Sequence, residues 1–98
     1  MSGRSAGRPA WGGRHAQALT RAVLARDGYR CQMPGPTGVK CLAWATTGDH
    51  IVPRALGGPD SLANMRAACG PCNFRAGQQL ARYLADRKLR RRYPAVRL

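Results

Sequence analysis

Four cysteines are the feature that most restricts how this chain can fold. They form one close pair, Cys69 and Cys72, and one wide pair, Cys31 and Cys41, which are separated by a loop rich in proline and glycine. With 98 residues, the chain is near the size below which a hydrophobic core alone gives little stability. We therefore expect cross-links between the cysteines, or a metal ion that they bind, to contribute to the fold.

A single tetrahedral zinc ion is the favoured interpretation of these cysteines. The Cys69–Cys72 spacing brings two sulfurs together on one turn, and the loop 31–41 can supply the other two. Two disulfides and four buried thiols are the alternatives. The sequence has no segment typical of a signal peptide or a membrane span, so we expect a cytoplasmic protein, in which thiols stay reduced. The prediction is one structural Zn²⁺ per chain with four ligands: Cys31, Cys41, Cys69 and Cys72.

The charge of the chain indicates a polyanionic partner. Lysine and arginine together number 17 against 4 acidic residues, which gives a formal net charge of +13. Such a surface attracts nucleic acid before other partners, and an excess of arginine over lysine favours bidentate contacts with phosphate. GC-rich coding is an alternative explanation for the arginines, but it does not explain the scarcity of acids.

The chain is expected to form one domain. Residues 1–12 are rich in glycine, serine, arginine and proline and are typical of a flexible basic arm. Residues 13–98 would then form a single domain, with its core motif at 31–77 and a basic C-terminal helix at 78–93. We find no internal repeat.

The hydrophobic pattern predicts few regular elements. Apolar positions at helical spacing favour a helix over 14–27, and the C-terminal helix would begin at Pro71 with Gly70 as its cap. Since the residue before a proline avoids helical geometry, that helix should end before Pro94. Two short strands are predicted, at 42–46 and 64–68, with an irregular loop over 51–62.

A second group of residues indicates a catalytic site by the order in which its members occur along the chain. Asp49, one of the few acids, directly precedes His50, one of 2 histidines. An isolated Asp-His pair is most often a surface feature, and an isolated asparagine is most often a turn or cap residue. The order as a whole resembles the signature of the HNH endonuclease family, and the resemblance covers about residues 15–80. The residues that carry it are Asp49, His50, Ile51, Pro53, Gly57, Gly58, Asn64, Cys69, Cys72 and Asn73.

This resemblance implies an α+β fold, the ββα-metal (His-Me finger) domain with flanking helices. It also implies hydrolysis of phosphodiester bonds with one divalent cation. His50 would be the general base, because an imidazole has an ordinary pKa of about 6.5. By match to the family, Asn64 would orient the ring of His50 through its carbonyl. Asp49 and Asn73 would bind the cation.

One position departs from the commonest form of the signature. Many members have histidine at the last position, where this chain has Asn73. An amide oxygen shifts the preference from softer metals towards Mg²⁺ or Mn²⁺. With two protein ligands only, water and phosphate oxygens would complete the coordination.

Several basic residues are candidates for contacts with nucleic acid. Arg54 lies within the signature, although a solvated position on the surface is an equal alternative. The basic run near the C-terminus is either a solvated helix face or a phosphate contact, and its candidates are Arg90, Arg91 and Arg92. His15, on the first helix, is expected to be structural or exposed.

The sequence therefore predicts a metal-dependent DNA endonuclease. It would nick DNA or cut both strands with low sequence specificity, leave 5′-phosphate ends, and act as a monomer without a membrane partner. A non-catalytic zinc module that binds DNA and recruits another nuclease is the alternative, and RNA cleavage remains open. Compact members of the family resemble phage proteins encoded near packaging genes, which would make the terminase large subunit or the portal a partner. Homing, restriction and toxin roles also occur in the family.

Overall fold

The computed structural model describes residues 11–94 and shows a small α+β fold. Most of the predicted flexible arm, residues 1–10, lies outside the described residues, as do residues 95–98. Two helices flank a two-stranded antiparallel sheet, and two 3₁₀ turns lie in the loop between the strands. In chain order the elements are α1 (Gly13–Arg26), β1 (Thr47–His50), the turns Arg54–Leu56 and Leu62–Asn64, β2 (Met65–Ala68) and α2 (Gly70–Arg92).

The sheet is fixed in register by its packing against α1. Strands β1 and β2 pair from Thr47 with Ala68 to His50 with Met65. Gly48 lies against α1: a Cβ at this position would come within 3.0 Å of Cε of Met65 and 3.6 Å of Oγ1 of Thr20. The core between the sheet and α1 is built largely from small side chains, so it buries little apolar surface. Its members include Val23, Leu24, Ala45, Met65, Ala67 and Ala68.

The end of α1 is tied to β2 by two paired residues that hydrogen-bond to the backbone of the strand. Nε of Arg26 lies 2.8 Å from Oδ1 of Asp27, and Oδ2 of Asp27 accepts a 2.9 Å hydrogen bond from the backbone N–H of Ala67. The Arg26 hydrogen bond lowers the pKa of the Asp27 carboxyl, against the opposing effect of burial. Arg26 also donates to the carbonyl oxygen of Met65, so one arginine and one aspartate hold α1 to the sheet.

The strand predicted at 42–46 is wrong, because residues 42–45 pair with the chain before them, and only Thr46 bonds to β2, through a 3.2 Å hydrogen bond to the carbonyl of Ala68. The backbone N–H of Cys31 donates to the carbonyl of Ala43 at 2.8 Å, and Cys41 donates to Met33 at 2.9 Å. Residues 29–45 therefore form a hairpin-like knuckle. This pairing brings Cys31 and Cys41 side by side, which overcomes the length of the spacer between them.

The C-terminal helix begins one residue earlier than predicted and has a different cap. Helix α2 begins at Gly70 with Cys69 as its N-cap, so the expected cap at Gly70 is wrong, and Pro71 occupies the first turn. The helix ends at Arg92, before Pro94, as predicted. Neither helix of the described residues is long and apolar enough to cross a membrane.

Candidate active site

A cavity of about 350 Å³ opens between β1 and the first turns of α2. Three residues of the predicted site, Asp49, His50 and Asn73, line it together. Successive side chains of a strand point to opposite faces, but His50 is the last residue of β1, and there both side chains reach the same cavity. The fourth predicted residue, Asn64, is not among the residues that line it.

The imidazole of His50 is held by a carboxylate that the sequence analysis missed. Nε2 of His50 lies 2.8 Å from Oδ1 of Asp60, and the two side chains are only 10% and 13% exposed. The ring also packs edge-on against Trp11, with ring centroids 4.7 Å apart. The available signal was the scarcity of acids: Asp60 is one of 4 acidic residues and lies in the loop of the signature.

Asn64 holds the loop, and neither of its carbonyl oxygens bonds to the ring of His50, so the hydrogen bond predicted between them is wrong. Its backbone carbonyl accepts from the N–H of Ile51 at 2.8 Å. Its side-chain oxygen accepts a 3.0 Å hydrogen bond from the backbone N–H of Val52. Its amide nitrogen donates to the carbonyl oxygens of Val52 at 3.0 Å and Pro59 at 2.9 Å. Asn64 is buried, and all its side-chain hydrogen bonds go to the backbone between His50 and Asp60.

The two adjacent glycines of the loop have different reasons to be glycine. Gly57 has a φ of 90°, in the left-handed region that favours glycine. Gly58 approaches the backbone closely: a Cβ there would lie 1.7 Å from the carbonyl oxygen of Val52. Gly58 therefore lets Asn64 reach Val52.

Asp49 and Asn73 face the cavity from two different elements. Asp49 is on β1, opposite Arg66 of β2, and its Oδ2 lies 3.2 Å from Nε of Arg66. Asn73 is in the first turn of α2, where its backbone N–H donates to the carbonyl of Cys69. One carboxylate and one amide oxygen are a donor set suited to Mg²⁺ or Mn²⁺.

The candidate nucleic-acid contacts fall into two groups. Arg54 lines the cavity, lies 2.9 Å from Asp60, and has its guanidinium 5.8 Å from the ring centroid of Trp11. Arg90, Arg91 and Arg92 are exposed in the last turn of α2, outside the residues that line the cavity. His15 is exposed on α1, as expected.

The four cysteines converge on one point beside the cavity. Their Sγ atoms all lie within 4.8 Å of one another, and those of Cys41 and Cys69 are 3.9 Å apart. Four sulfurs around a zinc ion at about 2.3 Å would be about 3.8 Å apart, whereas a disulfide needs about 2.05 Å. All four cysteines are free thiols, so the geometry favours a metal site over disulfides.

Burial and the close approach of the four sulfurs shift the pKa of two of the thiols. Burial, together with the neighbouring sulfurs, raises the pKa of the Cys72 thiol to about 12. Burial also raises the pKa of Cys31, but hydrogen bonds from the backbone of Cys69 and Met33 outweigh it, and the net pKa is lowered. Arg75 donates to Sγ of Cys72 at 3.3 Å. Several thiolates this close together are stable only with positive charge between them.

The cysteine cluster and the cavity share one piece of backbone. Cys69 caps α2 and follows β2 directly, and Cys72 precedes Asn73. Fixing these two cysteines therefore fixes the start of the helix that presents Asn73 to the cavity.

Comparison with known proteins agrees with this geometry. The profile of a family described as HNH endonuclease matches residues 43–89. The fold is similar to the crystal structure of the HNH endonuclease of the deep-sea thermophilic bacteriophage GVE2 with manganese ion. The sequence identity is 26% and the TM-score is 0.58, over 72% of this chain and 77% of that chain. No curated protein matches the sequence. The resemblance predicted from the order of the signature residues is thereby confirmed.

Proposed function

We infer that this HNH endonuclease hydrolyses the phosphodiester backbone of DNA with one divalent cation. The observation that carries this proposal is the shared cavity, in which the imidazole of His50 faces the same space as Asp49 and Asn73. A DNA-binding module would have no use for a buried imidazole beside two oxygen donors. A hydrolase needs both.

In the proposed reaction His50 accepts the proton of the attacking water. Its Nε2 is engaged by Asp60, which leaves Nδ1 for the water. Removing this proton as the water attacks phosphorus is the general-base step. The products would carry a 5′-phosphate and a 3′-hydroxyl.

Asp49 and Asn73 are the residues that would bind the catalytic cation. Their oxygens come from two elements that meet at the cavity, and such hard donors fit Mg²⁺ or Mn²⁺. Bound there, the ion would stabilise the negative charge that develops at the phosphate and on the leaving oxygen. That the similar phage endonuclease was crystallised with manganese supports this choice of metal.

Zn²⁺ is proposed for the cysteine cluster. Four thiols at nearly tetrahedral separation form a closed structural site with no position left for substrate. Its role would be to stabilise the knuckle and the start of α2, which the small core alone supports poorly.

The substrate is proposed to be DNA, contacted mainly through its phosphates. The net charge of +13 gives strong, salt-dependent attraction to the backbone. Arginine–phosphate contacts carry no sequence information, so we expect low sequence specificity, with nicking and cleavage of both strands as the alternative products.

Incubation with supercoiled plasmid tests the function directly. With Mg²⁺ or Mn²⁺ the wild type should convert the plasmid to nicked and then linear forms, and EDTA should stop the reaction. His50→Ala should abolish cleavage, whereas His15→Ala, which removes the exposed histidine of α1, should cleave like the wild type. Equal behaviour of wild type and His50→Ala would leave only DNA binding and contradict the catalytic role.

The biological setting is proposed from the phage origin of the similar structure. Residues 13–98 would act as a single, monomeric nuclease domain in the cytoplasm of an infected cell, and assist DNA packaging with the terminase large subunit or the portal. Co-purification with either protein, if they are encoded nearby, would support this role. Cleavage that neither protein changes would count against it.

A further inference from the structure

Three side chains lie around the imidazole of His50. Oδ1 of Asp60 lies 2.8 Å from its Nε2, and the rings of His50 and Trp11 form a T-shaped pair with an interplanar angle of 81°. Arg54 connects the other two side chains, because its Nε donates to the same Oδ1 of Asp60 at 2.9 Å and its guanidinium lies over Trp11. The motif residues alone did not indicate any of these three contacts.

We propose that Asp60 is a positioning residue that fixes the tautomer of His50. The Asp60 carboxylate has no proton to donate, so Nε2 must carry one and donate it. Nδ1 is then the nitrogen with a lone pair. Within residues 11–94 the structure gives Nδ1 no hydrogen-bond partner, which leaves it for water in the cavity. This inference rests on the proposed function, in which His50 is the base.

The loop supports Asp60 in this role. Asn64 holds the carbonyl of Pro59, the residue directly before Asp60, and also holds Val52, two residues after His50. Both partners of the His50–Asp60 contact are thus attached to backbone that Asn64 clamps. The effect of Asn64 on the imidazole is indirect and passes through Asp60.

Two other roles for Asp60 are less consistent with the geometry. Asp60 is not among the residues that line the cavity, which counts against a role as a ligand of the catalytic cation. A purely structural role would require only its ion pair with Arg54. It would not require the hydrogen bond between two side chains that are almost fully buried.

Long-range ¹H–¹⁵N NMR of the zinc-loaded protein identifies the tautomer of His50 directly. The spectra are recorded at about pH 8, well above the ordinary imidazole pKa of about 6.5. The chain has only 2 histidines, and His15→Gln assigns the signals. Wild type should show His50 with its proton on Nε2. Asp60→Ala should lose this preference because it removes the acceptor. Asp60→Asn should weaken it, because an amide whose oxygen accepts from Nε2 has to turn its NH₂ towards Nη2 of Arg54, which now donates to Oδ2.

Kinetics provide the second readout. Both variants should lower kcat about 10- to 100-fold, the range found for partners that orient metal-bound histidines, with little change in KM for plasmid DNA. The matched control is Asp86→Asn, which removes another arginine-paired carboxylate with the same change in charge and should alter neither tautomer nor kcat.

The outcomes separate this inference from the function. Asp60 variants that keep the Nε2–H tautomer and wild-type kcat would overturn the inference, while the function would stand. Variants that lose zinc or helical circular dichroism would show a structural role and would also overturn it. A wild type that fails to cleave DNA would contradict the proposed function, whatever the tautomer.

Discussion

Asp49 and Arg66 face each other across the two-stranded sheet, and Nε of Arg66 lies 3.2 Å from Oδ2 of Asp49. The pair belongs to a wider pattern, since each of the chain's four aspartates lies against an arginine. The pairs are Arg26–Asp27, Arg66–Asp49, Arg54–Asp60 and Arg90–Asp86. At Asp49 the partner is a positive charge beside a proposed cation ligand, so arginine and metal compete for one carboxylate.

The first prediction concerns this competition. Arg66→Gln should strengthen binding of Mn²⁺, because the carboxylate of Asp49 no longer has to leave a cationic partner. A partly exposed pair is worth about 0.2–1 kcal/mol, which corresponds to an affinity increase of up to about fivefold. Isothermal titration of the zinc-loaded protein with Mn²⁺ measures it.

The control for that titration is Arg21→Gln, which removes an exposed arginine of α1. It makes the same change in net charge and should leave Mn²⁺ affinity unchanged. Weaker binding in Arg66→Gln would show that the arginine orients the carboxylate for the metal, contrary to this prediction.

The second prediction is that the cysteine cluster is needed for folding. Cys72→Ser should lose zinc and unfold, because apparent zinc-binding energies of about 10–16 kcal/mol exceed the stability of a small domain. Removal of zinc from the wild type with a chelator should give the same loss of helical circular dichroism. A zinc-free variant with the wild-type spectrum would contradict a structural role.

The third prediction is the pH dependence of zinc binding. The pKa of Cys72 is raised to about 12, so this thiol keeps its proton throughout the neutral range and zinc has to displace it. Lower pH favours that proton and weakens binding. Zinc affinity should therefore rise at least about tenfold per pH unit from about pH 6 to about pH 8. Competition with a chromophoric chelator measures it, and a pH-independent affinity would be incompatible with thiol ligands.

The sequence predicted the parts of this fold that local pattern determines. The apolar spacing of α1 and the position of Pro94 after α2 are local signals, and both helices form where they were expected. The strand predicted at 42–46 was wrong because strand pairing depends on which segment lies alongside. Residues 42–45 bond to the chain around Cys31, and only Thr46 bonds to β2. The hydrophobic pattern alone could not distinguish the two pairings.

The site divides in the same way. The signature that resembles the HNH family indicated Asp49, His50 and Asn73, and these three residues line one cavity. Asp60 could not be predicted, since nothing in the spacing shows which side chain of a folded loop returns to the imidazole. The role of Asn64 was misplaced for a related reason: its hydrogen bonds go to the backbone of Val52 and Pro59, and backbone partners leave no mark in a sequence.

The fourth prediction tests the loop clamp. Asn64→Ala removes three hydrogen bonds to the backbone and should cost about 1–3 kcal/mol of unfolding free energy. It should also lower kcat, because His50 and Asp60 lose their fixed separation. Gly58→Ala should act in the same direction, since its Cβ would collide with Val52. Chemical denaturation and plasmid cleavage measure the two effects.

His50→Ala is the control that separates loss of catalysis from loss of stability in these variants. It should abolish cleavage without the loss of stability expected from the Asn64 and Gly58 variants, because the side chain of His50 bonds to the side chain of Asp60 and not to the backbone of the loop. A stable Asn64→Ala protein with a reduced kcat alone would instead support direct contact between Asn64 and the ring.

The last prediction assigns the basic end of α2 to phosphate binding. The exposed residues Arg90, Arg91 and Arg92 lie outside the cavity, so replacing them with glutamine should weaken DNA binding and leave kcat at saturating DNA unchanged. Each arginine that binds a phosphate should, when replaced, reduce the slope of log affinity against log salt by about 0.9. Fluorescence anisotropy of a labelled duplex over a salt series measures the slope, with Arg14→Gln and Arg21→Gln on α1 as controls. Slopes equal to the wild type would place this run on a solvated face, since every arginine that neutralises a phosphate releases a counterion and so contributes to the slope.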